Sequence, residues 1–372
     1  MEPCENTAQR PPTPAPNPAP TDETVEAPTV EVARQSGEED DFDFNGDSID
    51  DDCTSITSSV RACTYEHDRR YPCFQNGRYP IPNDDQEQER EDMKHAMLME
   101  LTDGALFFSP VGDNPQSILD IGTGTAGDEY PSARVCGIDL SPIQPSWVPP
   151  NVEFLIDDCR KDWLMRNVDL AHFRFMAVIL EDIGVVLKHA YKYVYLAEPV
   201  PCDKKQPCLT LDPRIFRSLR PGGWVEFQEL MGMPSCDDGT MPEKDPLVSL
   251  FTTADEAWAK LGLSSTIAAE LEPYLHDAGF TNVHCKIFKV PIGVWAEDEK
   301  MRLIGLFQKR AVDGFMSVLA GRPFHALGLD PTAVQIDLAM ARQSMDDTSV
   351  HRYFHYYFWY AQKPITPADY GA

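Results

Sequence analysis

The chain has 372 residues, 60 of them acidic and 32 basic, for a formal charge of −28. That balance excludes a direct nucleic-acid binder, whose surface is normally basic toward phosphates, and a protein held on an anionic membrane. No stretch approaches the ~18 consecutive apolar residues of a membrane span.

Residues 1–53 hold 15 acidic and 2 basic residues, and the first thirty hold eight prolines. Such a segment buries too little apolar surface to offset its chain entropy. A disordered, Pro-rich acidic tail is expected over 1–54. It is either inert or a contact for protein partners through Phe42 and Phe44 among the aspartates. Met1-Glu2-Pro3-Cys4-Glu5 lacks the basic region and apolar run of a secretory signal. The ten cysteines form no CxxC pair and no histidine cluster has zinc spacing, so reduced thiols and no metal site are expected. An intracellular, soluble protein of cytoplasm or nucleus follows.

A polar, aromatic lead-in from Tyr65 precedes a helix predicted over Glu87–Leu101. Met93, Met97 and Leu101 form its buried stripe, with Glu89, Arg90 and Lys94 on its wet side. Short apolar strands then follow at Ser117–Ile121, Ala133–Ile138, Val152–Ile156, Val168–Phe173 and Trp224–Phe227, with a helical stretch around Ile183–Tyr193. The alternation predicts a parallel, doubly wound α/β sheet, whose ligands bind beyond the carboxyl ends of the strands. Beyond residue 245, helices are predicted over 247–261, 267–278, 297–320 and 331–344. Strands are predicted over 283–290 and 351–361.

The first strand runs into Gly122-Thr123-Gly124-Thr125-Ala126-Gly127. This fits GxGxxG, a dinucleotide signature. Asp120, two residues before the first glycine, argues against a pyrophosphate there and suits the sulfonium and amino acid end of S-adenosylmethionine (SAM). Asp139, ending the second strand, suits ribose hydroxyls under either reading. Asp157-Asp158, ending the third, suits an adenine amino group. SAM is favoured over NAD.

These segments resemble the LaeA-like fungal methyltransferases. The resemblance is carried by 79–84 (YPIPND), 118–125 (ILDIGTGT), 139–152 (DLSPIQPSWVPPNV), 219–226 (LRPGGWVE) and 360–364 (YAQKP), and it covers residues 65–364. It implies a class I SAM-dependent methyltransferase over 55–372, with a Rossmann-like sheet, helical additions and a role in fungal secondary metabolism. The acceptor would be a small molecule, or the chain would act as a regulator through protein partners. SAM contacts carry over to Asp120, Gly122, Gly124, Asp139 and Asp158. His172 is the candidate base, with Glu181 and Asp182 behind it.

Two departures stand out. Only eight residues lie between Thr125 and Arg134, interrupted by Pro131. A helix returning along a five-residue strand of ~17 Å needs ~11 residues. The helix after the glycine turn is therefore expected to be truncated. Residues 194–218 form an atypical insertion before Leu219; Cys202 and Cys208 within it lack companion ligands.

Overall fold

The computed structural model describes residues 63–66, 69–72, 80–123, 132–144, 147–161, 163, 165–191 and 218–365. The expected tail 1–54, Gly124 with the rest of the glycine turn, and all of the 194–218 insertion except Ser218 lie outside the described residues.

A two-stranded antiparallel ladder, β1 (Cys63–Glu66) and β2 (Arg69–Pro72), opens the described fold. It stands where the sequence suggested only a lead-in. Helix α1 (Asp85–Leu101) follows. Then come β3 (Ser117–Ile121), β4 (Arg134–Asp139), β5 (Val152–Ile156) and β6 (Val168–Arg174). Helix α2 (Ile183–Tyr191) precedes β7 (Leu219–Leu230). The carboxyl-terminal part contains α3 (Pro246–Lys260), α4 (Leu271–Asp277), β8 (Thr281–Pro291), α5 (Glu299–Ala320), α6 (Arg322–Leu327), α7 (Pro331–Asp346) and β9 (Tyr353–Gln362).

Seven strands make one sheet in the order β5-β4-β3-β6-β7-β9-β8. Strands β3 to β7 pair in parallel. Beyond these parallel strands, β9 enters between β7 and β8 and runs antiparallel to both. The cause is where the chain spends α5 to α7. Helix α5 supplies wall residues above the carboxyl edge of the sheet, so the chain re-enters from that edge and must run back down.

Alternation along the strands divides the two faces. Leu119, Ile121, Phe173, Val225 and Phe227 are buried with Leu187 of α2 and Leu271 and Leu275 of α4. The Phe173 and Phe227 rings stack at 4.3 Å. The opposite face carries Ile118, Leu170 and Trp224. One step nearer the carboxyl edge it carries Asp120, His172 and Glu226, which are cross-strand neighbours. A third apolar cluster joins α1, α3, α5, α6, α7 and β9.

Two distant sequence motifs turn out to be one joint. Gly222, at φ +77°, donates its N–H to Lys363 O (2.9 Å), and Lys363 N–H returns to Gly223 O (2.9 Å). Buried Lys363 Nζ donates to Leu219 O at 2.8 Å. A β-carbon on Gly223 would lie 2.9 Å from Val168 O. The Pro-Gly-Gly segment is therefore a bulged start of β7, ahead of the Trp224–Phe227 span predicted from the sequence.

Candidate functional site

A cavity of about 440 Å³ opens at the carboxyl ends of β3, β4 and β6 and extends beneath α1 toward α3, α5 and β9. Its first end is built by Asp120, Gly122, Thr123, Asp139, Ser141 and His172. Gly122 has φ +73°, and a β-carbon there would lie 2.2 Å from Met176 Sδ. Backbone conformation and packing both demand glycine at this turn. Gly122 N–H donates to Ile138 O at 2.8 Å, which ties the turn to β4.

Parallel pairing sets Asp120 beside His172. Their side chains meet at 2.7 Å through Asp120 Oδ1 and His172 Nδ1. Burial raises the Asp120 carboxyl, but the bond and charge of His172, the Thr123 hydroxyl and Arg174 outweigh it and hold the group below its ordinary value. An ionised Asp120 only accepts, so His172 Nδ1–H donates. His172 Nε2 is buried without a partner among the described residues.

Asp139 ends β4 and accepts Ser141 N–H at 2.8 Å. Asp158 does not line this cavity. Its carboxylate is engaged by Arg160, with Nε to Oδ1 and Nη2 to Oδ2 both at 2.8 Å. Glu181 is exposed and 3.8 Å from Arg160, and Asp182 caps Val185 N–H at 3.0 Å. Neither lines the cavity.

Ile81, Pro82 and Asn83 supply the roof. Asp84 is the N-cap of α1, accepting Glu87 N–H at 3.0 Å, and Arg69 grips its carboxylate from β2 at 2.5 and 2.9 Å. Asn83 donates to Ser141 Oγ at 3.3 Å and links roof to strand-end corner. The expected wet side of α1 is corrected for two residues: Glu89 is exposed, but Arg90 and Lys94 are buried and line the cavity. Arg90 binds Glu87 and Glu91, and Lys94 Nζ bonds both Glu91 oxygens at 3.1 Å. Pairing within one helix offsets the cost of burying these charges. Lys94 Nζ also lies 3.3 Å from the centroid of the Phe175 ring. Burial pulls its ammonium down to about 8.

The second end is lined by Phe251, Trp258, Gln308, Phe315, Phe354 and Tyr356. Two buried acids of β7 were not singled out from the sequence. Glu226 accepts Phe108 N–H, Ser109 N–H and Ser109 Oγ–H at 2.7–3.0 Å, pinning the segment after α1 over the sheet. Glu229 lines the cavity; its Oε1 accepts Met176 N–H at 3.0 Å and Ala177 N–H at 3.1 Å. Burial pushes this carboxyl up to about 8 despite those two bonds. The only available signal was two-residue alternation: Glu229 continues the register of Val225 and Phe227 past the predicted end of the strand.

The sheet order and the acid–glycine corner at its switch point define a class I methyltransferase fold. The chain is 33% identical over 347 residues to methyltransferase pytC of Aspergillus terreus, spanning 90% of this chain and 99% of that protein. It is 29% identical to the protein-methionine methyltransferase laeA of Emericella nidulans, over 81% of this chain and 76% of that one. The chain belongs to the LaeA-like fungal methyltransferase family. No protein-family model matches it. Among solved structures, a Haemonchus contortus phosphoethanolamine N-methyltransferase 2 in complex with S-adenosyl-L-methionine covers 73% of this chain and 53% of that one, at 16% identity and a TM-score of 0.38. Among the described residues no helix is long and apolar enough to cross a membrane, and no group of three or more His, Cys, Asp or Glu could hold a metal ion.

Proposed function

We propose that this chain binds SAM at the strand-end corner and transfers its methyl group to a small-molecule acceptor of fungal secondary metabolism. The observation that carries the reading is one cavity with two chemically different ends. One end offers carboxylates and a backbone turn, and the other offers aromatic rings. Asp120, kept ionised, suits the cationic donor; Gly122 lets the backbone turn beside it, with Gly124 assigned by the family resemblance; Asp139 suits its ribose. His172 orients Asp120 through their 2.7 Å bond. With Arg160 occupying it, Asp158 reaches adenine only if that pair opens. SAM supplies an activated methyl, so alignment of donor and acceptor provides much of the rate.

A second reading, a regulator acting through protein partners at the acidic tail, draws on relatives named secondary metabolism regulators. Calorimetric titration with SAM, S-adenosylhomocysteine (SAH) and NAD separates them. Micromolar binding of SAM and SAH is expected. Silence with all three favours the regulator, and binding of NAD alone refutes both.

A further inference from the structure

Glu229 stands at the junction of the cavity's two ends. Phe175, at φ +55°, turns the chain after β6 through a conformation uncommon for a residue with a β-carbon. The turn aims the N–H groups of Met176 and Ala177 at Glu229 Oε1. Met176 then lies against Gly122 of the donor corner, while the Phe175 ring lies under Lys94 on the other side. Glu229 is thus anchored to the segment whose Met176 meets one end of the cavity and whose Phe175 meets Lys94. Its Oε2 accepts no hydrogen bond among the described residues, although the residue is only 2% exposed. Two backbone bonds to one oxygen account for its anchoring and leave the second oxygen unexplained. The walls beyond are Phe251, Trp258, Phe315 and Phe354, with Gln308 for polar contact. They suit a largely apolar ring compound.

We propose that Glu229 is the acid–base residue of the transfer, taking the proton of a hydroxyl group on such a ring compound. The proposal rests on the methyltransferase reading above. In the step, the acceptor O–H bond breaks and its proton passes to Glu229 Oε2. The oxygen's electron pair forms the new bond to the donor methyl. The S–CH₃ bond breaks with its pair on sulfur, so the sulfonium leaves as a neutral thioether. The proton then passes to solvent. The other titratable and charged groups facing this cavity are Glu87, Arg90, Glu91, Lys94 and His95 of α1, Asp120 of β3, Asp139 of β4, His172 and Arg174 of β6, and Tyr356 of β9. With the carboxyl raised to about 8, the reactive carboxylate accumulates as pH rises through that value.

The test uses the full chain, methyl-tritiated SAM and 2-naphthol as probe acceptor. Glu229→Gln keeps an oxygen for the two N–H groups. It is expected to bind SAH within about twofold of wild type, to transfer label at least about a hundredfold more slowly, and to lose the rise of rate through pH about 8. Transfer at the wild-type rate, or a rising limb that persists in Glu229→Gln and so belongs to Lys94, overturns the proposal. Should that variant fail to fold, the wild-type profile decides: a flat rate from pH about 6 to 9 also overturns it. SAH binding without transfer to 2-naphthol overturns the proposal alone. No binding of SAM or SAH by the wild type overturns the underlying reading, and the proposal with it.

Discussion

Asp120 and His172 meet because a parallel register places them side by side, and Gly122 follows because nothing larger fits under Met176. Gly122→Ala must adopt a positive φ and displace Met176, at a cost of about 1–3 kcal/mol for the backbone alone. It is expected to weaken SAH binding by at least about tenfold, read by calorimetry. Glu229 makes a second prediction, independent of any acceptor. Its folded carboxyl is raised from 4.5 to about 8, so the native state holds a proton that the unfolded chain has released between those values. Stability from this group is intact below pH 4.5 and is lost as pH rises toward 8. Urea unfolding should therefore show Glu229→Gln gaining on wild type by a few kcal/mol between acid and pH about 8. A constant difference across that range would contradict the burial that sets it.

At the scale of elements, the parallel strands were legible because each is a short apolar run punctuated by an acid or a glycine. The place of Asp120, Gly122 and Asp139 on the cavity wall was legible for the same reason, since strand ends are where clefts of α/β sheets lie. The length of β7 was not. Pro221-Gly222-Gly223 has turn chemistry, and only Lys363, 140 residues after Gly223, converts it into a paired bulge. The burial of Arg90 and Lys94 was hidden too, because periodicity sorts charges outward unless a cavity below the helix takes them in. The Arg160 grip on Asp158 lay only two residues along the chain, but a local ion pair and a ligand contact look alike in sequence. Lys363→Met should leave Leu219 O without its buried charged donor. A loss of about 1.5–3 kcal/mol is expected by urea unfolding, and an unchanged midpoint would remove the joint from the account. Eight residues separate Thr125 from Arg134, fewer than the ~11 that a helix returning along a five-residue strand needs. Inserting six helix-forming residues between Ala126 and Asp128 is expected to tighten SAH binding if that truncation weakens the donor corner.

Over the whole molecule, the charge of −28 divides into an acidic segment before residue 54 and an α/β body. In that body the carboxylates of consequence are Asp120, Asp139, Glu226 and Glu229. The first two line the strand-end corner of the cavity, the third pins the loop over the sheet, and the fourth lines the same cavity as the aromatic walls. The fold holds them in place from behind, where Phe173 and Phe227 stack against α2 and α4. Phe173→Ala should cost about 3–5 kcal/mol in thermal or urea unfolding and weaken the site only through the fold. The central claim is that the acid–glycine corner binds a sulfonium donor. It is tested most directly by titrating SAH into wild type and Asp120→Ala side by side. Micromolar affinity in the wild type and at least about tenfold weaker binding in the variant is the predicted result. Equal affinity in both proteins, or binding of NAD in place of SAH, would contradict it.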